Sequence, residues 1–332
     1  MSGSTRTGGD ERELLQRLAQ GAISGAALAR ESGLTRAAVW KRIQALRDAG
    51  VAIDADAHRG YSLQQPLDLL DGSAILAATP VAQRARMTLE VAWSIDSTNS
   101  ELLRRPVPSQ GCSVLLAECQ TGGRGRRGRT WASPLAAHVS VSLARSFHGG
   151  LARLAGLSLA VGVVVCEALH AQGFTSVRLK WPNDLVVADG NGLRKLGGLL
   201  VEGGGEAAGS CRAVIGLGLN VRMPPAFAAA IDQPWIDLAG MIAVPPSRSA
   251  LVGHLLPTLL PALDDFEDNG LEPFLPRYAA LDALAGRTVE IRDGSRHWNA
   301  RASGVATDGA LRVSGMDGQE CRVHAGDVSV RA

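Results

Sequence analysis

Between Gly122 and Trp131 the chain reads Gly-Gly-Arg-Gly-Arg-Arg-Gly-Arg-Thr-Trp, which gathers four guanidinium groups (Arg124, Arg126, Arg127, Arg129) and four glycines. No acid occurs between Glu118 and Glu167. A guanidinium binds carboxylate or phosphate through charge-assisted, often bidentate bonds. Glycine lets backbone N–H groups approach the same ligand closely. Like charges on a glycine-rich segment repel one another, so the stretch is expected to stay mobile until it clamps an anionic small molecule. Two other meanings compete. Gly123-x-Gly125-x-x-Gly128 matches a dinucleotide fingerprint by letter, but that loop must open a helix and be followed by an acid about 20 residues on. Here Trp131, Ser133 and Pro134 interrupt and the acid is missing, so the dinucleotide reading fails. A basic nucleic-acid patch is the commoner meaning of an isolated arginine run.

The elements that must position this loop belong to a chain of 332 residues, long enough for two or three domains. Hydrophobic content of 46% and charged content of 20% make it globular rather than disordered. The net charge of +2 confines any nucleic-acid site to a local patch. The five cysteines are odd in number and lack a C-x-x-C pair, which argues against a disulfide framework or a cysteine zinc site and fits a reducing cytoplasm. The apolar run from Leu154 to Cys166 falls short of a membrane span and reads as a buried helix. No apolar signal core opens the chain. A soluble cytoplasmic protein without a membrane partner is expected.

In chain order, residues 1–9 read as a disordered tail. Asp10 to Gln20 and Ser24 to Glu31 have helical spacing, and Thr35 is a suitable N-cap for a third helix from Arg36 to Ala49. Strand candidates follow at Val51 to Ile53 and His58 to Leu63. Three helices and a small hairpin in this order predict a winged helix-turn-helix over 10–64, with the helix-turn-helix itself over 24–43. Arg36, Trp40, Lys41, Arg42 and Arg47 on the third helix and Arg59 on the wing are the candidate DNA-binding residues. A solvated basic face of a small interaction domain is the competing reading. Residues 65–74, with Pro66, read as a linker.

Over 75–280 strands alternate with helices. Met87 to Ile95, Ser113 to Cys119, His138 to Arg145, Val177 to Trp181, Asp184 to Ala188, Lys195 to Glu202 and Cys211 to Val221 are expected strands. Leu154 to Gln172 and Ser249 to Asp268 are expected helices, and Gly203 to Gly209 a surface loop. The implied class is α+β with a mixed sheet. From 281 to 332, Asp293-Gly294, Asp308-Gly309 and Asp317-Gly318 punctuate short strands and suggest a small SH3-like β-barrel.

The loop together with other segments resembles the biotin protein ligases. The segment Gln120 to Arg129 followed by Trp131 looks like that family's biotin loop. Lys180-Trp181-Pro182-Asn183-Asp184, Lys195-Leu196-Gly197-Gly198 and Gly216-Leu217-Gly218-Leu219-Asn220 resemble its other signatures, in the family's order. Asp96-Ser97-Thr98-Asn99 resembles its upstream biotin-contacting segment. With the flanking domains, the resemblance is to the three-domain bifunctional ligase/repressors of bacteria, and it runs from about Glu11 to the C-terminus. Family members often carry alanine or a bulkier residue where Gly122 and Gly197 stand; the extra glycine is expected to raise the ordering cost of the loop.

The resemblance implies a two-step reaction. Biotin's carboxylate attacks the α-phosphate of ATP, giving biotinyl-5′-adenylate and pyrophosphate, and a lysine of a biotin carboxyl carrier protein then takes the biotinyl group and releases AMP. Joining two anions needs fixed positive charge and excluded water. The implied catalytic residues are Arg126, Lys195 and Lys180, with Lys195 at the biotin carboxyl and Lys180 toward the ATP phosphates. Arg124 and Arg126 would contact biotin and the adenylate; Arg127 and Arg129 would hold the loop or the leaving pyrophosphate. Ser97, Thr98, Asn99 and Gln120 would bond the ureido ring, though Ser97 to Asn99 also read as the N-cap of a helix near Ser100. Gly123, Gly125 and Gly198 line the ligand path. Trp131 would stack on adenine or be a core aromatic. Asp184 and Asn220 would orient nucleotide or Mg²⁺, an ion held mainly by substrate phosphates, so no protein metal cluster is expected. Operator DNA and, with adenylate bound, a homodimer complete the implied partners. The alternatives are a metabolic ligase without regulatory DNA binding, a biotin-sensing repressor lacking ligase activity, and a lipoate ligase.

Overall fold

The computed structural model describes residues 4–331 apart from 191, 206–208, 230, 294–295, 316–317 and 326–327. Three helices come first: α1 (Ser4–Ala19), α2 (Gly25–Glu31) and α3 (Arg36–Asp48). Most of the expected N-terminal tail is therefore the first turns of α1. The Ser24 and Thr35 hydroxyls accept from Ala27 and Ala38 amides at 3.1 and 3.2 Å, capping α2 and α3. Leu15, Leu18, Leu28, Val39, Ile43 and Leu46 share one core. The hairpin β1 (Ile53–Asp56) and β2 (Gly60–Leu63) closes it, and Tyr61 bridges back to Ile23. Gly60 has φ +82, and a Cβ there would lie 2.2 Å from the Ile23 carbonyl, so the wing can turn only on glycine.

After α4 (Gly72–Ala78) and α5 (Val81–Arg84) comes a seven-stranded sheet, ordered β3-β4-β5-β9-β8-β7-β6. Its strands are β3 (Met87–Ile95), β4 (Cys112–Gln120), β5 (His138–Phe147), β6 (Val177–Lys180), β7 (Asp184–Asp189), β8 (Gly192–Gly205) and β9 (Cys211–Asn220). β3 and β4 are parallel and the other neighbours antiparallel, so the sheet is mixed. β8 runs through Gly205, so the first part of the expected Gly203–Gly209 loop is strand; 206–208 lie outside the described residues.

Strand alternation gives the sheet two different faces. Val139, Val141, Leu143, Leu217 and Leu219 face a large core with α7 (Leu157–Ala171) and α9 (Arg248–Asn269). The segment Leu151–Ala171 is long and apolar enough to cross a membrane by length and composition, but most of it is buried inside the protein, and it serves as the core helix. His138, Ser140 and Ser142 face the opposite way, toward α6 (Thr98–Arg104) and the arginine loop.

The segment joining the first helices to this sheet is pinned. The Arg248 side chain, 1% exposed, donates to the carbonyls of Asp68 and His138 and to the Glu118 carboxylate at 2.6 Å. Glu118 also accepts from the Leu70 amide at 2.6 Å. Farther along lie the short α8 (Pro225–Ala228) and α10 (Leu275–Leu281). The chain ends in an antiparallel five-stranded sheet ordered β13-β12-β11-β10-β14. Its strands are β10 (Thr288–Asp293), β11 (Arg296–Val305), β12 (Leu311–Ser314), β13 (Glu320–Val323) and β14 (Val328–Arg331). No pairing of β13 with β14 closes a barrel among the described residues, and the Asp293-Gly294 and Asp317-Gly318 turns fall partly outside them.

Candidate active site

The arginine loop leaves β4 after Gln120 and folds back on itself. Trp131 donates to the Gly123 carbonyl at 2.9 Å, Gly125 donates to that of Arg129 at 2.7 Å, and Arg124 bridges Thr130. The loop thus has its own internal bonds, with Arg127 in the left-handed region at φ 58. Gly123 is needed here, because a Cβ would lie 2.6 Å from the Trp131 carbonyl.

Two of the arginines reach other elements. Arg124 donates to the Ser100 hydroxyl at 3.0 Å and to Glu202 at 3.2 Å. Arg126 donates to Asn183 Oδ1 at 3.3 Å and to the Ala325 carbonyl at 2.5 Å, tying the loop to the bend after β13. Burial lowers the Arg126 pKa, Asp184 opposes that, and Arg127 and Arg129 add to it. Arg127 and Arg129 are exposed.

At one end of the site lies a network of neutral side chains, backed by the Glu202 carboxylate that Arg124 also pairs. The Thr98 amide and hydroxyl both donate to Gln120 Oε1, at 2.8 and 3.1 Å. The Ser142 hydroxyl stands 2.7 Å from Thr98 Oγ1 and 2.6 Å from Asn99 Oδ1. The Asn99 amide donates to the Leu200 carbonyl and to Glu202 Oε2 at 3.1 and 2.9 Å. Ser97 caps α6 at 3.4 Å, so the cap and the pocket readings of Ser97 to Asn99 coexist.

At the other end Lys195 Nζ pairs with Asp184 Oδ1 at 2.8 Å and stands 5.7 Å from the Trp131 ring centre. Gly198 gives both groups room, since a Cβ there would approach Asp184 Oδ1 and Lys195 Nζ to 3.3 Å each. Lys180 ends β6 directly across from Asp184.

Gly216 and Gly218 stand on the site face of β9 for a steric reason. A Cβ on Gly216 would meet Asn99 Oδ1 at 2.3 Å, and one on Gly218 would meet the Trp131 ring at 2.6 Å. Gly197 is equally confined, since a Cβ there would lie 2.6 Å from the Gly218 carbonyl, so it answers to close strand packing rather than to loop looseness.

Two expectations need correction. Asn220 is buried and donates to the Ile236 carbonyl at 3.1 Å, so it braces the backbone around Lys195 instead of reaching outward. Trp131 is half-buried and lies against Gly218 with Lys195 over its ring, a placement compatible with both of its expected roles. Arg47 donates through Nε and Nη2 to the Ile53 carbonyl at 3.0 and 2.7 Å and braces the wing from within. The remaining basic set does face outward: Arg36, Lys41 and Arg59 are exposed, Arg42 is half-buried with a partner of its own, and Trp40 is 58% exposed.

Several residues were not singled out from the sequence. Glu202 ties Arg124 to Asn99, and Ser142 joins Thr98 to Asn99. Trp235 is half-buried and flanked by backbone bonds to Lys195, whose amide donates to the Pro234 carbonyl and whose carbonyl accepts from Ile236, both at 2.9 Å. Only Ser142 carried a local signal, as a polar residue alternating with Val141 and Leu143.

The site therefore has a neutral hydrogen-bonding end, a cationic end and a lid of arginines, the layout for a ligand with a polar ring and a distant anion. Among known proteins the chain is 38% identical over 322 residues to the bifunctional ligase/repressor BirA of Salmonella typhimurium, covering 96% of this chain and 97% of that one. It belongs to the bifunctional ligase/repressor family. The relative from Escherichia coli is 37% identical, with 96% of this chain and 97% of that one covered. The Biotin/lipoate A/B protein ligase family profile matches residues 91–220, and an HTH domain profile matches residues 11–62. The fold is that of a biotin protein ligase from Aquifex aeolicus solved with biotin and ATP, with TM-score 0.61 at 23% identity over 74% of this chain and 98% of that one. Family membership accounts for the pairing of this site with a helix-turn-helix. Among the described residues no cluster of three or more metal-ligating side chains occurs.

Proposed function

We propose that this chain is an ATP-dependent, AMP-forming biotin protein ligase that also represses transcription in response to biotin. The observation that carries it is the convergence of Arg126 and the Lys195–Asp184 pair at one end of a pocket whose other end is the Thr98–Gln120–Ser142 network. Biotin's ureido ring suits the neutral end, where Gln120, Thr98, Asn99 and Ser97 offer both donors and acceptors. Its carboxylate lies toward Lys195, and the arginine loop covers the acyl phosphate. Lys195, Arg126 and Lys180 hold the two anions together while the carboxylate attacks the α-phosphate and pyrophosphate leaves. No covalent enzyme intermediate is needed, and the five cysteines keep no catalytic role; Cys112 and Cys166 are pushed up to about 12 by burial. Gly123, Gly125 and Gly198 let the loop and β8 come close to the ligand.

Asp184, which pairs with Lys195, would orient a Mg²⁺ ion held mostly by triphosphate oxygens. That ion would supply charge neutralisation on the phosphates. For adenine, the half-buried Trp131 is the candidate ring, with Trp235, whose backbone neighbours bond Lys195, as a second.

The proposed domains are 10–64, a linker 65–74, 75–280 and 281–332. Arg36, Trp40, Lys41, Arg42 and Arg59 would meet operator DNA, and a homodimer formed with adenylate bound would present two such surfaces to a two-fold site. Free cysteines throughout support a cytoplasmic location. Incubation with biotin, ATP and a carrier domain is the test. Wild type biotinylates the carrier lysine and Arg126→Ala loses at least about tenfold in rate, as expected for one lost charge-assisted contact. Full activity in Arg126→Ala would undo the site assignment. An operator-shift assay indifferent to biotin plus ATP would leave a metabolic ligase.

A further inference from the structure

The site face of β5 carries three polar residues, His138, Ser140 and Ser142, and they are not equally satisfied. Ser142 is bonded at the ureido end of the site. The Ser140 hydroxyl is buried, the residue being 2% exposed, and has no hydrogen-bond partner among the described residues. A buried hydroxyl left unpaired is costly, so such groups in native sites mark an absent partner. Ser140 pairs in register with Ala117 on β4 and Gly218 on β9, and Gly198 lies beyond Gly218 on β8. Its strand neighbours carry little or no side chain, and it is the Trp131 ring, resting on Gly218, that covers this stretch of the face. His138, also without a side-chain partner among the described residues, lies one step farther along the strand, its ring centre 6.3 Å from that of Trp131.

The position along the ligand path narrows the partner. Ser140 lies two residues, about 6.6 Å, from Ser142 in the direction of Asn220 and Lys195. It therefore stands between the ureido end and the carboxylate end. Biotin has a single heteroatom between those two groups, the thioether sulfur of the ring fused to the ureido. A thioether accepts a weak hydrogen bond.

We propose that the Ser140 hydroxyl donates to the thioether sulfur of biotin and so selects the sulfur-containing ring. This rests on the biotin reading above. The test is calorimetric titration of the full chain with biotin and with desthiobiotin, which keeps the ureido ring and the carboxylate but lacks sulfur. In Ser140→Ala, biotin is expected to weaken about three- to tenfold, the range for one neutral hydrogen bond, while desthiobiotin is unchanged or tighter. Comparing each ligand between the two proteins cancels the different stiffness of the ligands themselves. A merely structural role for Ser140 would weaken both ligands by the same factor, and that result, or no change for either, overturns the proposal. Should wild type bind neither ligand, the biotin reading falls and takes this inference with it. Ser140→Ala removes an unpaired buried hydroxyl, so its unfolding midpoint is expected at or above that of wild type, which separates a ligand effect from a folding defect.

Discussion

Replacing Arg248 by methionine tests the junction between the winged helix and the sheet. Arg248 and Glu118 are buried to side-chain exposures of 1% and 3%, and they meet at 2.6 Å. Arg248 also holds the carbonyls of Asp68 and His138, while Glu118 holds the Leu70 amide. Removing one partner of a buried pair strands the other charge, which costs about 3–5 kcal/mol. Methionine keeps most of the volume, so little of that loss is cavity. Glu118→Gln should cost less, about 2–3 kcal/mol, because the amide can still accept from Leu70 or Arg248. The informative variant is the double one: with both charges gone, most of the stranded-charge penalty disappears, and Arg248→Met/Glu118→Gln should be more stable than Arg248→Met alone. Urea unfolding of the four proteins at pH 7 measures this, provided the slopes agree. Strict additivity of the two single changes, or a loss below about 1 kcal/mol for Arg248→Met, would refute the claim that this pair fastens the linker.

Three further outcomes follow from the geometry. Gly218→Ala puts a methyl group 2.6 Å from the Trp131 ring; the displaced indole should cost about 1–3 kcal/mol and lower kcat/KM for biotinylation, and an unchanged rate would show that the ring moves freely. Burial, and next the Arg248 charge, push the His138 pKa down to about 3, whereas an unfolded histidine sits near 6.5. The folded state thus binds fewer protons, and stability falls as pH drops through 6.5 toward 3; urea titrations should show about 2 kcal/mol lost by pH 5, an increment missing from His138→Gln. Charge reversal at Arg36 and Lys41, both exposed on α3, should abolish operator binding at physiological salt while carrier biotinylation stays at the wild-type rate; loss of both activities would point to misfolding instead.

The strands with clean alternation were legible in the sequence. Met87–Ile95 falls on its expected limits, and the alternation from His138 to Arg145 marked β5 as a strand. Gly216 and Gly218 were legible as a motif, but their cause was not: the obstacles are Asn99 and Trp131, each more than eighty residues away in sequence. Distance in the chain hid the rest as well. Glu118 and Arg248 meet across 130 positions, and Arg126 meets Ala325 across 199, with no periodicity to announce either contact. Asn220 and Arg47 were read outward by residue type; each had a backbone carbonyl within reach, and burial decided for it.

The stretch just after the arginine loop does not end within the catalytic sheet. Leu135, four residues beyond Trp131, is 4% exposed in the core of the N-terminal helices and donates its amide to the Ala49 carbonyl at the end of α3, at 2.8 Å. A Cβ on neighbouring Gly50 would already lie 3.0 Å from Pro134. The DNA-facing part is therefore no detachable module. A chimera that grafts a foreign helix-turn-helix onto this enzyme must bring a socket for Leu135, and a gene encoding the enzyme from residue 65 onward would leave that leucine in water and its loop without a footing.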